Sequence, residues 1–224
     1  HQPISQKTWL SKIPKIELHL HLEGAIPLSA LWELIQKYGG DESVKSQEDL
    51  TRRFLYSDFN HFLNTWVWKN KYLREYADFT FIAEKVAVDL RDQGLVYAEA
   101  LISTPDFARH GLAVQPIIEA VRKGLDRVSG IQVNLIVDFV RNYGQEKAFE
   151  TLDAVLETTS MGVLGVGIGG SEKQFPPSLF KAVFAKAQSR GLRTNAHAGE
   201  AAGADCIWDA IQSLNVDRIG HGTR

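Results

Sequence analysis

Residues 15–24, KIELHLHLEG, alternate without a break between polar and aliphatic side chains. A period of two is the mark of a β-strand, so Glu17, His19, His21 and Glu23 share one face and Leu18, Leu20 and Leu22 the other. Same-face neighbours stand roughly 6.5 to 7 Å apart along a strand. Two imidazoles at that spacing can converge on one cation. Zinc takes histidine nitrogen at about 2.0 to 2.1 Å and leaves room for ligands from neighbouring strands. The competing reading is an ordinary sheet with one polar, solvated face. A parallel sheet weighs against it, because both of its faces are covered, and a row of Glu, His, His and Glu is then expensive without a compensating ion.

The rest of the chain reads as such a sheet. Six apolar runs stand out as strands, at 15–22, 95–102, 131–140, 162–168, 192–198 and 217–221. Between them lie segments of helical period. Leu179, Phe180, Val183, Phe184 and Ala187 recur on one stripe before Gly191, and Pro116 opens another stripe with Ile117, Val121, Leu125 and Val128. Strand followed by helix, repeated, predicts an α/β fold of the (β/α)8 barrel type, with about six of the eight strands in this chain. The first interval is the long one. It holds helical patterns at 27–38, 59–76 and 79–90, an insertion at the carboxyl end of the first strand, where barrels of this kind carry their active sites. No linker or repeat divides the chain, so residues 1–224 are expected to form a single metal-dependent hydrolase domain. Because only six barrel strands are visible, that domain is expected to be truncated at its C-terminus.

Composition narrows the partners. A formal charge of -2 with scattered Lys and Arg gives no field for nucleic acid. Cys206 is the only cysteine, which excludes an internal disulfide and any paired-cysteine zinc motif. No apolar run reaches the roughly 18 residues of a membrane helix, and the start, HQPISQKTWLSKIP, lacks a secretory apolar region. A cytoplasmic protein acting on a small molecule is expected.

Catalytic zinc sites usually combine three protein ligands with an open position for water. Two further histidines close strands, His197 in LRTNAHA and His221 in DRIGH. His61 and His110 sit in helical or loop context and are read as surface or packing residues; His1 is set aside as a terminal residue.

Taken together, PKIELHLHLEG at 14–24, NAHAGE at 195–200 and RIGHG at 218–222, supported by GVGIGGSE at 165–172, resemble the adenosine deaminase family of zinc-dependent amidohydrolases. The likeness runs along essentially the whole chain. It implies a (β/α)8 barrel with helices inserted after the first strand. It further implies that His19, His21 and His197 bind one zinc ion, that Glu200 protonates the purine at N1, and that His221 orients and helps deprotonate the attacking water. That role for Glu200 asks for a carboxyl kept protonated by burial against apolar walls or by a hydrogen bond to N1. Read without its neighbour His197, Glu200 would be a carboxylate at the start of a helix.

The resemblance also bears on substrate. Glu23 stands where family members commonly have the Asp that contacts ribose, and it resembles the versions in adenine and aminodeoxyfutalosine deaminases. Gly169 and Gly170 look like the segment whose backbone approaches the purine, or are simply a tight turn after a strand. Phe62 and Trp66 share one helical face and resemble the hydrophobic gate of the family pocket; plain core is the alternative. The implied activity is hydrolysis of a C–N bond in a cyclic amidine, converting adenosine or a close analogue such as aminodeoxyfutalosine to the hypoxanthine product and ammonia. Adenine deamination, another metal amidohydrolase reaction, and a non-catalytic zinc- or purine-binding relative remain as alternatives.

Overall fold

The computed structural model describes residues 9–10 and 12–224; His1 lies outside the described residues. Six strands follow one another in chain order within the sheet: β1 (Lys15–His21), β2 (Leu95–Ile102), β3 (Gln132–Val140), β4 (Val163–Gly169), β5 (Arg193–Ala198) and β6 (Arg218–His221). Their alternation with helices is that of the (β/α)8 class, with six strands among the described residues. Two compact units are distinguished within the chain, residues 1–98 with 120–133, and residues 99–119 with 134–224.

In the first unit β1 is followed by four helices: α1 (Leu28–Lys37), α2 (Gln47–Arg53), α3 (Phe59–Asn70) and α4 (Tyr76–Asp92). Ala30, Leu31, Leu34 and Ile35 of α1 are buried, as are Phe79, Ile82, Ala83, Val86, Ala87 and Leu90 of α4, each at helical spacing. Two carboxylates, the buried Asp78 and the half-buried Asp41, tie the insertion together. Asp78, in the first turn of α4, accepts Lys37 Nζ and Tyr38 Oη, each at 2.5 Å, and the backbone N–H of Arg74 and Glu75. Asp41 accepts Trp68 Nε1 at 3.0 Å, Lys71 Nζ at 2.6 Å and Tyr72 Oη at 2.5 Å. The sequence pattern at 59–76 is therefore not one helix. A capping box between Glu75 and Asp78 starts a new helix after α3 has ended at Asn70. On the aliphatic face, Leu22, just past the end of β1, is buried, whereas Leu18 is 38% and Ile16 64% exposed, so that face is covered only at its carboxyl end.

In the second unit the pairings β3–β4, β4–β5 and β5–β6 are all parallel. Four more helices belong to this region or enter it: α5 (Val114–Leu125), α6 (Gly144–Leu156), α7 (Lys181–Ser189) and α8 (Ala204–Asp209). Val137, Phe139, Val166, Ile168, Ala196, Val183 and Phe184 form a buried core, with the Phe139 and Phe184 rings edge to face at 5.9 Å. The register sets His197 opposite Gly220 and Ala198 opposite His221, so both strands deliver a histidine at the same end.

Candidate active site

On β1 the polar face is organised from its own residues. Glu17 Oε1 accepts the backbone N–H of His19 at 3.0 Å, which gives this carboxylate a local role: it anchors the main chain under the first histidine. The His19 and His21 rings meet edge to face with centroids 5.4 Å apart. Trp66 of α3 lies edge-on to His21 at 5.5 Å and 6.1 Å from Phe62. Gly24 makes that approach possible, since a Cβ there would come within 3.1 Å of the Trp66 ring. Both aromatics are half-buried, and Lys69 Nζ sits over the Trp66 ring, 3.8 Å from its centroid. Glu23 is completely buried.

At the ends of β5 and β6 the second set assembles. His197 is buried, and its Nδ1 is 3.1 Å from the carbonyl oxygen of Ile168 on β4. A carbonyl only accepts, so Nδ1 holds the proton and Nε2 is the nitrogen left with a lone pair. The His197 and His221 ring centroids are 5.3 Å apart. His221 has φ +71, a left-handed conformation rare outside glycine, and the turn beyond it is closed by Gly222 N to Ala198 O at 2.9 Å. His221 Nε2 lies 3.5 Å from Glu200 Oε2. The side chain of Glu200 is 33% exposed, so the protein alone does not give it the burial expected from its proposed role.

The two glycines part company. Gly169 borders the site: a Cβ built on it would stand 3.6 Å from His197 Nδ1 and 3.6 Å from Asp138 Oδ2. Gly170 is a turn residue at φ +100, where a Cβ would strike Asn142 Oδ1 at 2.6 Å.

Three buried charged residues around His197 went unremarked in the sequence. Asp138 interrupts the apolar strand IVDFV, and its Oδ1 would be 2.0 Å from a Cβ on Gly167. Arg141, fully buried, donates from Nη2 to the carbonyl of His197 at 2.6 Å and from Nη1 to that of Phe175 at 2.9 Å. Glu172, the last residue of GVGIGGSE, accepts four backbone N–H groups from residues 199–202. An acid within an apolar strand and a Ser-Glu pair after paired glycines were the available signals. A cavity of about 390 Å³ also opens in this unit, but toward the amino-terminal ends of the strands, around Leu164, Thr194, Asn195 and the Glu99–Arg218 ion pair. It is away from the histidines at the carboxyl ends.

Comparison with known proteins places these arrangements. The adenosine deaminase family model matches residues 14–224. An adenine deaminase of Ectopseudomonas mendocina is 33% identical over 219 residues, which is 96% of this chain and 69% of that protein. The crystal structure of an adenine deaminase from Arthrobacter aurescens aligns with TM-score 0.85 at 28% identity, covering 94% of this chain and 65% of that one. A zinc-bound amidohydrolase from Burkholderia ambifaria aligns with TM-score 0.86 at 26% identity, covering 96% and 60%. The chain thus spans about two thirds of the length of the relatives it matches. Its motifs, strand order and family match agree, and the chain belongs to the adenosine deaminase family.

Proposed function

We propose that this protein is a zinc-dependent deaminase that replaces the exocyclic amino group of an adenine ring by oxygen and releases ammonia. Free adenine is the leading substrate, with adenosine and aminodeoxyfutalosine as the alternatives. The observation that carries the reading is the proton-transfer pair at the ends of β5 and β6, Glu200 and His221 at 3.5 Å. A protein that only bound zinc or purine would have no use for it. The choice of free adenine is supported by the residue type at position 23, a buried Glu where the Asp that contacts ribose is common in the family, and by the adenine deaminases among the relatives.

His19, His21 and His197 would hold one zinc ion, each through one ring nitrogen. The donor set suits the metal. The hydrogen bond to Ile168 O fixes His197 in the tautomer that leaves Nε2 to coordinate, and three neutral imidazoles leave a position open. Zinc bound there supplies a water made acidic near neutral pH. The remaining work falls to the chain. Glu200 donates a proton to ring N1, stabilising the charge that develops when the ring loses aromaticity. His221, beside it, takes the proton given up by the water. The purine itself, lying over Glu200, covers the third of that side chain the protein leaves open. Gly169, against His197, and Phe62 and Trp66, the latter against His21, are the residues assigned to purine contact. β4 holds no lysine, so the carboxylated-lysine bridge of two-metal amidohydrolases has no candidate on that strand.

Ultraviolet spectroscopy of the zinc-loaded protein with adenine, adenosine and aminodeoxyfutalosine tests this reading. Conversion of adenine at the highest kcat/KM is expected. Turnover of adenosine alone would move the assignment to nucleosides, and no change with any of the three would remove the deaminase reading.

A further inference from the structure

Glu172 is engaged more fully than any role in the proposed chemistry demands. Its Oε2 accepts Gly199 N at 2.9 Å and Ala202 N at 3.3 Å, and its Oε1 accepts Glu200 N and Ala201 N, each at 3.1 Å. Four consecutive amides thus wrap one buried carboxylate, and the Cys206 thiol is a further donor. Burial alone would push the carboxyl of Glu172 up, but these hydrogen bonds outweigh it and hold the group below the usual carboxylate range. An ionised carboxylate accepts only, and its lone pairs match the four N–H groups.

The place of that wrapped turn gives the arrangement its meaning. It begins two residues after His197 and includes Glu200, so its conformation decides where the Glu200 carboxyl points. Gly199 enters it at φ +72, in a spot where a Cβ would meet the Ile207 side chain at 2.6 Å. The loop carrying Glu172 is anchored in turn. Asn142 Oδ1 accepts Ser171 N at 3.0 Å, and the Arg141 guanidinium joins the carbonyls of Phe175 and His197, linking that loop to the end of β5.

We infer that Glu172 is a positioning residue: its carboxylate sets the turn 199–202 and thereby holds the Glu200 carboxyl beside His221 and the reacting ring. The catalytic half of this inference rests on the deaminase reading; the structural half does not, and the two are tested separately. Glu172→Gln keeps the volume but turns an NH2 group toward two of the amides it must satisfy. In that variant the amides of residues 199–202 are expected to exchange hydrogen about tenfold faster while β4 and β5 keep their protection. With adenine, kcat is expected to fall by about 10²-fold, the scale of a misplaced catalytic group, with KM within threefold and zinc content unchanged. Unaltered exchange at 199–202 would overturn the inference, as would a lower unfolding temperature with kcat intact, the result of a merely structural role. Glu172→Asp retains the charge but withdraws it by one methylene, and an intermediate loss of kcat and of protection is expected. Should the Gln variant fail to fold, unchanged exchange and kcat in the Asp variant would overturn the inference on their own. If the wild-type protein converts none of the substrates, the deaminase reading fails, and the exchange measurement still decides whether Glu172 holds the turn.

Discussion

His221 Nε2 lies 3.5 Å from Glu200 Oε2; His221 closes β6 and Glu200 follows β5 by two residues, the two strands being paired so that Ala198 faces His221. In the proposed reaction one group would give a proton and the other would take one. Glu200→Gln preserves shape and loses the acidic proton. We expect kcat to fall by about 10² to 10⁴-fold, the usual contribution of general acid–base catalysis, with zinc content by elemental analysis unchanged. Loss of zinc instead would assign Glu200 to the metal.

His197 is buried and fixed by Ile168 O, so its removal should be read in metal rather than in fold alone. His197→Ala is expected to lose zinc by one to two orders of magnitude in affinity, or entirely, in competition with a chelator. Retention of wild-type affinity would exclude His197 from the ligand set.

Gly167 is required by its neighbour, because a Cβ there would sit 2.0 Å from Asp138 Oδ1. Gly167→Ala should destabilise the protein by about 1 to 3 kcal/mol in urea unfolding. Combined with Asp138→Ala, the two effects should be less than additive, since the second change removes the clash that the first creates. Simple additivity would show that the two residues do not oppose one another.

Asp41 titrates in a way that links the helical insertion to acid stability. Burial alone would raise its pKa, but the hydrogen bonds from Lys71, Ser43 and Tyr72 more than offset that and hold the carboxyl far below the usual range. With the folded value depressed, its stabilisation is fully present above the unfolded value of about 3.9 and is lost as pH falls toward the folded one. Asp41→Asn should therefore lower stability at pH 7 by about 2 kcal/mol and flatten the acid limb of the stability curve below pH 4. An unchanged limb would remove Asp41 from this role.

The Cys206 thiol is pushed up to about 11, first by burial and then by its hydrogen bond to the carboxylate of Glu172. At pH 8 only about one molecule in a thousand carries the thiolate. Alkylation of the native protein should run on the order of 10²-fold slower than of the urea-unfolded chain; equal rates would show an accessible, unshifted thiol.

How much of this was legible in the sequence depended on the reach of each signal. The strands could be read because runs such as IQVNLIVDFV and GVLGVGI are buried on both faces, and the observed β3 and β4 fall within a residue of those runs. The histidines could be read because they close strands. The break between α3 and α4 could not be read from hydrophobic period, which continues through Tyr72 and Leu73; it is made by the polar bonds of Glu75 and Asp78. The start of the short helix α2 is likewise marked by a polar bond, Asp49 N to Ser46 Oγ at 3.1 Å. Asp138, Arg141 and Glu172 were hidden for a different reason. Each acts on groups remote in sequence, 29 residues away for Asp138 and Gly167, 56 for Arg141 and His197, and 27 for Glu172 and Gly199, where no spacing rule reaches.

With the role proposed for its imidazole, the left-handed backbone at His221 would set endurance against turnover. An imidazole held at φ +71 carries a conformational penalty of about 1 kcal/mol that glycine would escape. His221→Gly should accordingly be the hardier protein in a thermal melt and the poorer catalyst, more so on both counts than an alanine replacement would suggest. Selection for heat resistance alone would drift toward glycine here, and chemistry alone would hold it at histidine.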